Sequence, residues 1–211
     1  MSKEITIELE QGLPLHADLG GPEKAAVGII IFAHGSGSSR HSSRNRRVAE
    51  VLHEAGFQTV LVDLLTPGED RVDLKTGEHR FDIELLGERV TRTIDWVRRV
   101  DDAPIGLFGA STGAAAALVA TARRPKEIGA VVSRGGRPDL AGEALDLVRA
   151  PTLLIVGGLD LTVLELNQMA QNRLRAEAAL EIVPGATHLF EEPGTLDLVA
   201  DLAADWFRRH L

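Results

Sequence analysis

Short apolar runs recur along this chain, and stretches with apolar residues at helical spacing separate them. Residues 27–33, 59–65, 128–133, 151–158 and 179–183, with the run from Ile105 towards Ser111, read as strands buried on both faces. Between them, Val48, Val51, Leu52 and Ala55 recur at helical spacing, and Gly56 follows as a stop signal. Residues 81–100 predict a long amphipathic helix with Ile83, Leu86, Val90, Ile94 and Val97 facing inward. Residues 114–122 have helical composition, and further helices are predicted near 163–177 and 195–210. Residues 4–19 alternate loosely around Gly12-Leu13-Pro14, the pattern of an antiparallel hairpin at a sheet edge. Residues 66–79 are polar and contain Pro67, Gly68 and Gly77, which predicts a surface loop.

Strands that alternate with helices specify a doubly wound, mostly parallel sheet covered on both faces, because each crossover is right-handed and needs a helix. The predicted class is therefore α/β. No linker, repeat or low-complexity tract interrupts the pattern, so residues 1–211 are expected to form a single domain. Between the strands ending near Ser133 and starting near Pro151 there is room for one short helix, about residues 140–148, and no cap domain. Ligands of such sheets bind at the carboxyl ends of the strands. His34, Ser111, Arg134, Asp160 and His188 collect at those predicted ends.

Composition narrows the function. The formal net charge is -8, so no global basic field draws the protein to nucleic acid or an anionic membrane. No apolar run approaches the ~20 residues that span a bilayer, and the first residues lack the apolar core of a signal peptide, which makes a cytoplasmic location the expectation. Cysteine is absent, which excludes disulfides, thiolate catalysis and cysteine-ligated metal. No metal or organic cofactor is expected, and the expected partner is a small molecule, bound by a monomer or a homodimer.

Gly109-Ala110-Ser111-Thr112-Gly113 stands where an apolar run meets an alanine-rich segment. This is the G-x-S-x-G nucleophile elbow, in which a sharp strand-to-helix turn presents the serine above the sheet edge. A serine hydroxyl needs an adjacent base, and the base needs a carboxylate to hold its tautomer. Asp160 and His188 follow Ser111 in the order Ser, Asp, His, each in a loop after a strand. Asp160 could instead cap the next helix, and Asp139 is the substitute because it too follows a strand end. The oxyanion hole would take the backbone N–H of Thr112 and one from His34-Gly35-Ser36-Gly37, that of Ser36.

Four segments carry a family resemblance: Phe32-Ala33-His34-Gly35-Ser36-Gly37, the Ser111 elbow, Gly157-Gly158-Leu159-Asp160 and Gly185-Ala186-Thr187-His188. Through them residues 27–211 resemble the α/β-hydrolase superfamily, and within it the small dienelactone-hydrolase-like branch. Dienelactone hydrolases proper use a cysteine nucleophile, and Ser111 stands in its place here, which points to ordinary carboxylic esters. The resemblance implies an acyl-enzyme mechanism through Ser111, Asp160 and His188, and an uncapped, shallow site implies short-acyl esters. A thioesterase or acyltransferase with the same residues, and a non-catalytic ligand-binding protein on this fold, are the alternatives. His34, Gly37, Arg40 and Arg134 are candidate substrate-binding residues. The basic run 40–47 reads either as a solvated helix start with salt bridges or as a source of Arg40 for a substrate carboxylate, a role also open to Arg134.

Overall fold

The computed structural model describes residues 2–9, 12–22 and 26–211. Eight strands form one sheet: β1 (Lys3–Glu8), β2 (Pro14–Gly20), β3 (Ile29–Ala33), β4 (Gln58–Val62), β5 (Ile105–Ala110), β6 (Ile128–Arg134), β7 (Thr152–Gly157) and β8 (Ala178–Val183). Their order is β1-β2-β4-β3-β5-β6-β7-β8. β1 and β2 pair antiparallel, as the edge alternation predicts, although residues 10 and 11 of that hairpin lie outside the described residues. β2 also meets β4 antiparallel, and every other pairing is parallel.

Six α-helices cover the sheet: α1 (Ser43–Glu54), α2 (Pro67–Thr76), α3 (Ile83–Val100), α4 (Thr112–Arg123), α5 (Leu161–Arg173) and α6 (Thr195–His210). Alternate residues of each central strand feed opposite faces. Ile29, Ile31 and Ala33 of β3 join Leu107, the inner face of α3 and the alanines of α4. Ile30 and Phe32 join Phe108, with Val48 and Leu52 of α1 and Val199, Ala203 and Phe207 of α6. The rings of Phe32 and Phe108 sit 4.8 Å apart on that second face. Residues 112–121 of α4 are buried all round, which is why this helix is built from alanine and shows no polar stripe.

Two local expectations are corrected. Residues 66–79 are mostly helix rather than loop. Thr66 caps α2, accepting the Glu69 N–H, while the Glu69 carboxylate accepts the Thr66 N–H at 2.7 Å. Pro67 sits in the first turn, where its missing donor is harmless, and Gly77 closes the helix at φ 70°. The segment Pro138–Leu147 is 3-10 helix in two pieces, broken at Gly142 (φ 55°, ψ -128°), rather than one α-helix. It is the whole connection between β6 and β7 apart from short turns, so no cap domain is inserted there.

Losing a side-chain cap of this kind typically costs ~1 kcal/mol. Thr66→Ala is expected to lower the unfolding free energy by that amount, read as a lower urea midpoint with an unchanged slope. An unchanged midpoint would show that the reciprocal Thr66–Glu69 bonds do not hold α2.

Candidate active site

The register aligns the carboxyl ends of the central strands. Ala110 pairs with Arg134, Arg134 with Ile155, and Gly157 with Val183. The residues just beyond those ends therefore share one edge. Ser111 follows β5 directly, with φ 51° and ψ -122°, a backbone state that costs a non-glycine residue about 1–3 kcal/mol. Its neighbours make the turn possible. A Cβ on Gly113 would overlap the Ala33 carbonyl oxygen, and one on Gly109 would overlap the Ala114 Cα. The turn is also tied to β6: the Ser111 N–H donates to the Arg134 carbonyl at 3.2 Å, and the Arg137 N–H donates to the Ser111 carbonyl at 3.1 Å.

Asp160 occupies the N-cap position of α5 yet makes no capping hydrogen bond. Its Oδ2 accepts instead from His188 Nδ1 at 2.6 Å. Asp139 spends both oxygens on Arg137, at 2.9 and 2.8 Å, and so is not the partner of His188. With the Nδ1 proton committed to Asp160, a neutral His188 carries its lone pair on Nε2. The histidine loop is braced by Glu192, whose carboxylate accepts the Thr187 N–H at 3.1 Å and the Thr187 hydroxyl at 2.6 Å.

A cavity of about 190 Å³ brings the candidates together: Ser36, Ser111, Arg134 and His188 line it, with Arg44 and Asn45 from the start of α1. Thr112 is the first residue of α4, so its N–H has no carbonyl to bond within the helix. Gly35 packs against Ser111, where an added Cβ would lie 3.0 Å from the serine Cβ, and this closeness carries Ser36 to the same rim.

Three candidate substrate contacts fall elsewhere. Arg40 is held by carboxylates on the far side of its loop, with Asp63 at 3.3 Å, Asp18 at 3.3 Å and Glu4 at 3.2 Å. It is a salt-bridge residue and does not line the cavity. Gly37 turns the chain at φ 65° and borders a separate cleft near Arg80. His34 points away from the cavity: its Nδ1 donates to the Gly35 carbonyl at 2.9 Å, and its Nε2 accepts the Leu64 N–H at 3.0 Å. Both ring nitrogens thus fasten the loop that carries Ser36. Burial pushes the His34 imidazole below its ordinary value of 6.5, outweighing the Gly35 hydrogen bond and the charges of Asp63 and Asp70.

Sequence reading passed over Asn45, Phe190 and Glu192. Asn45 had a signal: it precedes Val48 and Leu52 at the spacing of the buried face of α1 and is itself buried. Phe190 adopts φ 55° without being glycine, and nothing in its composition marks that.

The native His34 site favours the neutral ring, so above about pH 6.5 its contribution to stability is complete. As pH falls below that value the unfolded chain takes up a proton that the native site refuses, and the contribution declines. The stability advantage of the wild type over His34→Gln in urea should therefore shrink between about pH 7.5 and about pH 5.5. A constant difference would mean that burial does not disfavour the charged His34 ring in the native state.

Comparison with known proteins agrees with this architecture. A family model described as the alpha/beta hydrolase fold matches residues 28–182. A dienelactone hydrolase structure from Anabaena variabilis is 51% identical, with a TM-score of 0.96 over 100% of this chain and 98% of that one. Est1E from Butyrivibrio proteoclasticus shares the fold at 18% identity, with a TM-score of 0.81 over 98% of each chain. A curated protein of Mycobacterium tuberculosis strain H37Rv, provisionally named a phosphoribosyl transferase, is 59% identical over 202 residues. That match takes in 94% of this chain and 44% of the relative, so the chain spans less than half the length of that protein. Among the described residues no helix is long and apolar enough to cross a membrane. The chain belongs to the alpha/beta hydrolase fold family, and along its whole length it is similar to a dienelactone hydrolase.

Proposed function

We propose that the protein is a serine esterase that cleaves small, short-acyl carboxylic esters through an acyl-enzyme. The observation that carries this reading is the 2.6 Å hydrogen bond between His188 and Asp160 beside the cavity that Ser111 also lines. Ser111 and His188 line one cavity and Asp160 holds His188, which supports the roles that ester cleavage needs.

Ser111 Oγ attacks the ester carbonyl carbon while His188 Nε2 takes the hydroxyl proton. Asp160 holds the ring and offsets the charge of the imidazolium. The carbonyl electron pair moves onto oxygen, where the N–H groups of Ser36 and Thr112 and the positive end of α4 stabilise it. No acidic residue sits in the first turn of α4 to oppose that field. As the tetrahedral species collapses, His188 returns the proton to the departing alcohol. Water, deprotonated by His188, then attacks the acyl-serine, and the same steps release the acid. The short β6–β7 connection, with no cap domain in it, and the modest cavity support short acyl chains. The phosphoribosyl transferase name belongs to relatives more than half of whose length lies outside the match, and the esterase reading concerns the shared segment.

A fluorophosphonate probe should label Ser111, identified by mass spectrometry of the adduct peptide. Ser111→Ala should abolish labelling and lower kcat at least ~10³-fold, and Asp160→Asn should lower it on the order of 10⁴-fold by favouring the wrong tautomer. Labelling with turnover of thioesters alone would move the activity to the thioesterase alternative. An unlabelled protein with no turnover would leave a ligand-binding scaffold.

A further inference from the structure

The cavity beside Ser111 holds a cation without a counter-charge among the described residues. Arg134, the last residue of β6, is only 7% exposed. Its guanidinium makes one long hydrogen bond, Nη2 donating to Asn45 Oδ1 at 3.4 Å. Nε and Nη1 are covered by protein and have no partner. The Phe190 ring lies 6.0 Å from the guanidinium carbon. Other arginines of this fold show what such a group usually finds: Arg124 grips both oxygens of Asp95, and Arg137 both oxygens of Asp139. Burial, and then the like charge of Arg44, lower the Arg134 pKa to about 10, which leaves it protonated at neutral pH.

A buried charge with no partner is strongly destabilising unless something else neutralises it. The protein supplies little. Asp160 is committed to His188, and Glu191 touches Arg44 only at the rim, at 3.4 Å. Arg44 lines the same cavity, and its Nε also lacks a partner. Two guanidiniums thus border one small space, along with the hydroxyls of Ser36, Ser38 and Ser42. A guanidinium held by a single long bond is poorly anchored, and a small turn of its last torsion brings a pair of N–H groups to an incoming oxyanion.

We propose that Arg134 and Arg44 form an oxyanion subsite beside Ser111, and that the ester cleaved there carries a phosphate-type dianion. A single carboxylate on Arg134 would leave Arg44 with only the exposed Glu191, at 3.4 Å, to offset its charge. A phosphate monoester carries close to two negative charges at neutral pH and three acceptor oxygens, which matches two guanidiniums with hydroxyl donors around them. The identity of the substrate rests on the esterase reading above, whereas anion binding at the subsite does not.

The test separates the two. Inorganic phosphate is titrated calorimetrically into the wild type, Ser111→Ala, Arg134→Gln and Arg44→Gln. Wild type and Ser111→Ala should bind alike, and each arginine substitution should weaken binding by about tenfold or more, the loss usual for a charge-assisted hydrogen bond. Arg44 lies towards the rim, so its variant carries the test should Arg134→Gln fail to fold. Three aryl esters of matched length, ending in a methyl, a carboxylate or a phosphate, are then compared by kcat/KM. The phosphate ester should be preferred over the methyl ester, and Arg134→Gln should cut that preference by about tenfold or more. Equal phosphate binding by wild type and both arginine variants would overturn the subsite. Preference for the carboxylate ester over the phosphate ester would overturn the dianion. Phosphate binding without cleavage of any ester would keep the subsite and remove the esterase, and cleavage without phosphate binding would do the reverse.

Discussion

The passage of the chain from β5 into α4 leaves no room for a side chain on either flank of Ser111. Gly113 lies against the backbone of β3 and Gly109 against that of α4 itself, so the turn must be tight and Ser111 must take its unusual dihedral angles. That strain is about 1–3 kcal/mol, and it persists because the surroundings over-determine it. Leu118 of α4 is fully buried, and its burial alone is worth roughly 2 kcal/mol, of the same order as the cost of the strained turn. The whole first part of the helix packs in the same way, so relaxing Ser111 would mean withdrawing α4 from the core. The hydroxyl is therefore presented by the packing of α4 into the hydrophobic core.

The same edge shows how one residue type meets different fates. Arg40 and Arg134 both follow strands and both looked able to reach a substrate. Arg40 lies near Glu4, Asp18 and Asp63, which β1, β2 and β4 bring to that side, and their charges bind it. Arg134 lies between β5 and β7, where the neighbours are Asn45, Phe190 and the Ser111 turn, and no carboxylate among the described residues meets it. The difference is one of strand order, which places acidic residues at one end of the sheet edge and backbone donors at its centre. His34 is likewise settled by its neighbours: the Leu64 N–H and the Gly35 carbonyl take both of its nitrogens, and it becomes a brace for the loop that carries Ser36.

Much of this was legible in the chain because the sheet is buried on both faces. Continuous apolar runs such as residues 29–33 and 105–110 then have little choice of partner, and the alternation of strand and helix sets the winding. Ser111, Asp160 and His188 were visible as polar residues in loops that directly follow such runs. What escaped notice depended on tertiary contacts or on signals given too little weight. The Thr66-Pro67-Gly68-Glu69 capping box was present in the sequence, but two nearby glycines and a proline read as loop. The fracture of the 138–147 segment needs the positive φ of Gly142, and composition does not reveal which glycine will use its freedom. The separation of Arg40 from Arg134, and the left-handed Phe190, follow from strand order and loop packing, which no local pattern encodes.

The central claim is that the Ser111 turn aims one oxygen at both His188 and a pair of backbone donors. A crystal structure of the protein phosphonylated by an aryl fluorophosphonate measures this directly. The account predicts a bond from Ser111 Oγ to phosphorus, with the phosphonyl oxygen about 2.7–3.1 Å from the N–H groups of Ser36 and Thr112. It also predicts that His188 Nε2 lies within hydrogen-bond reach of the adduct while Nδ1 stays on Asp160. An adduct on Ser36 or Ser38, or a phosphonyl oxygen turned to solvent with the imidazole swung away, would contradict it.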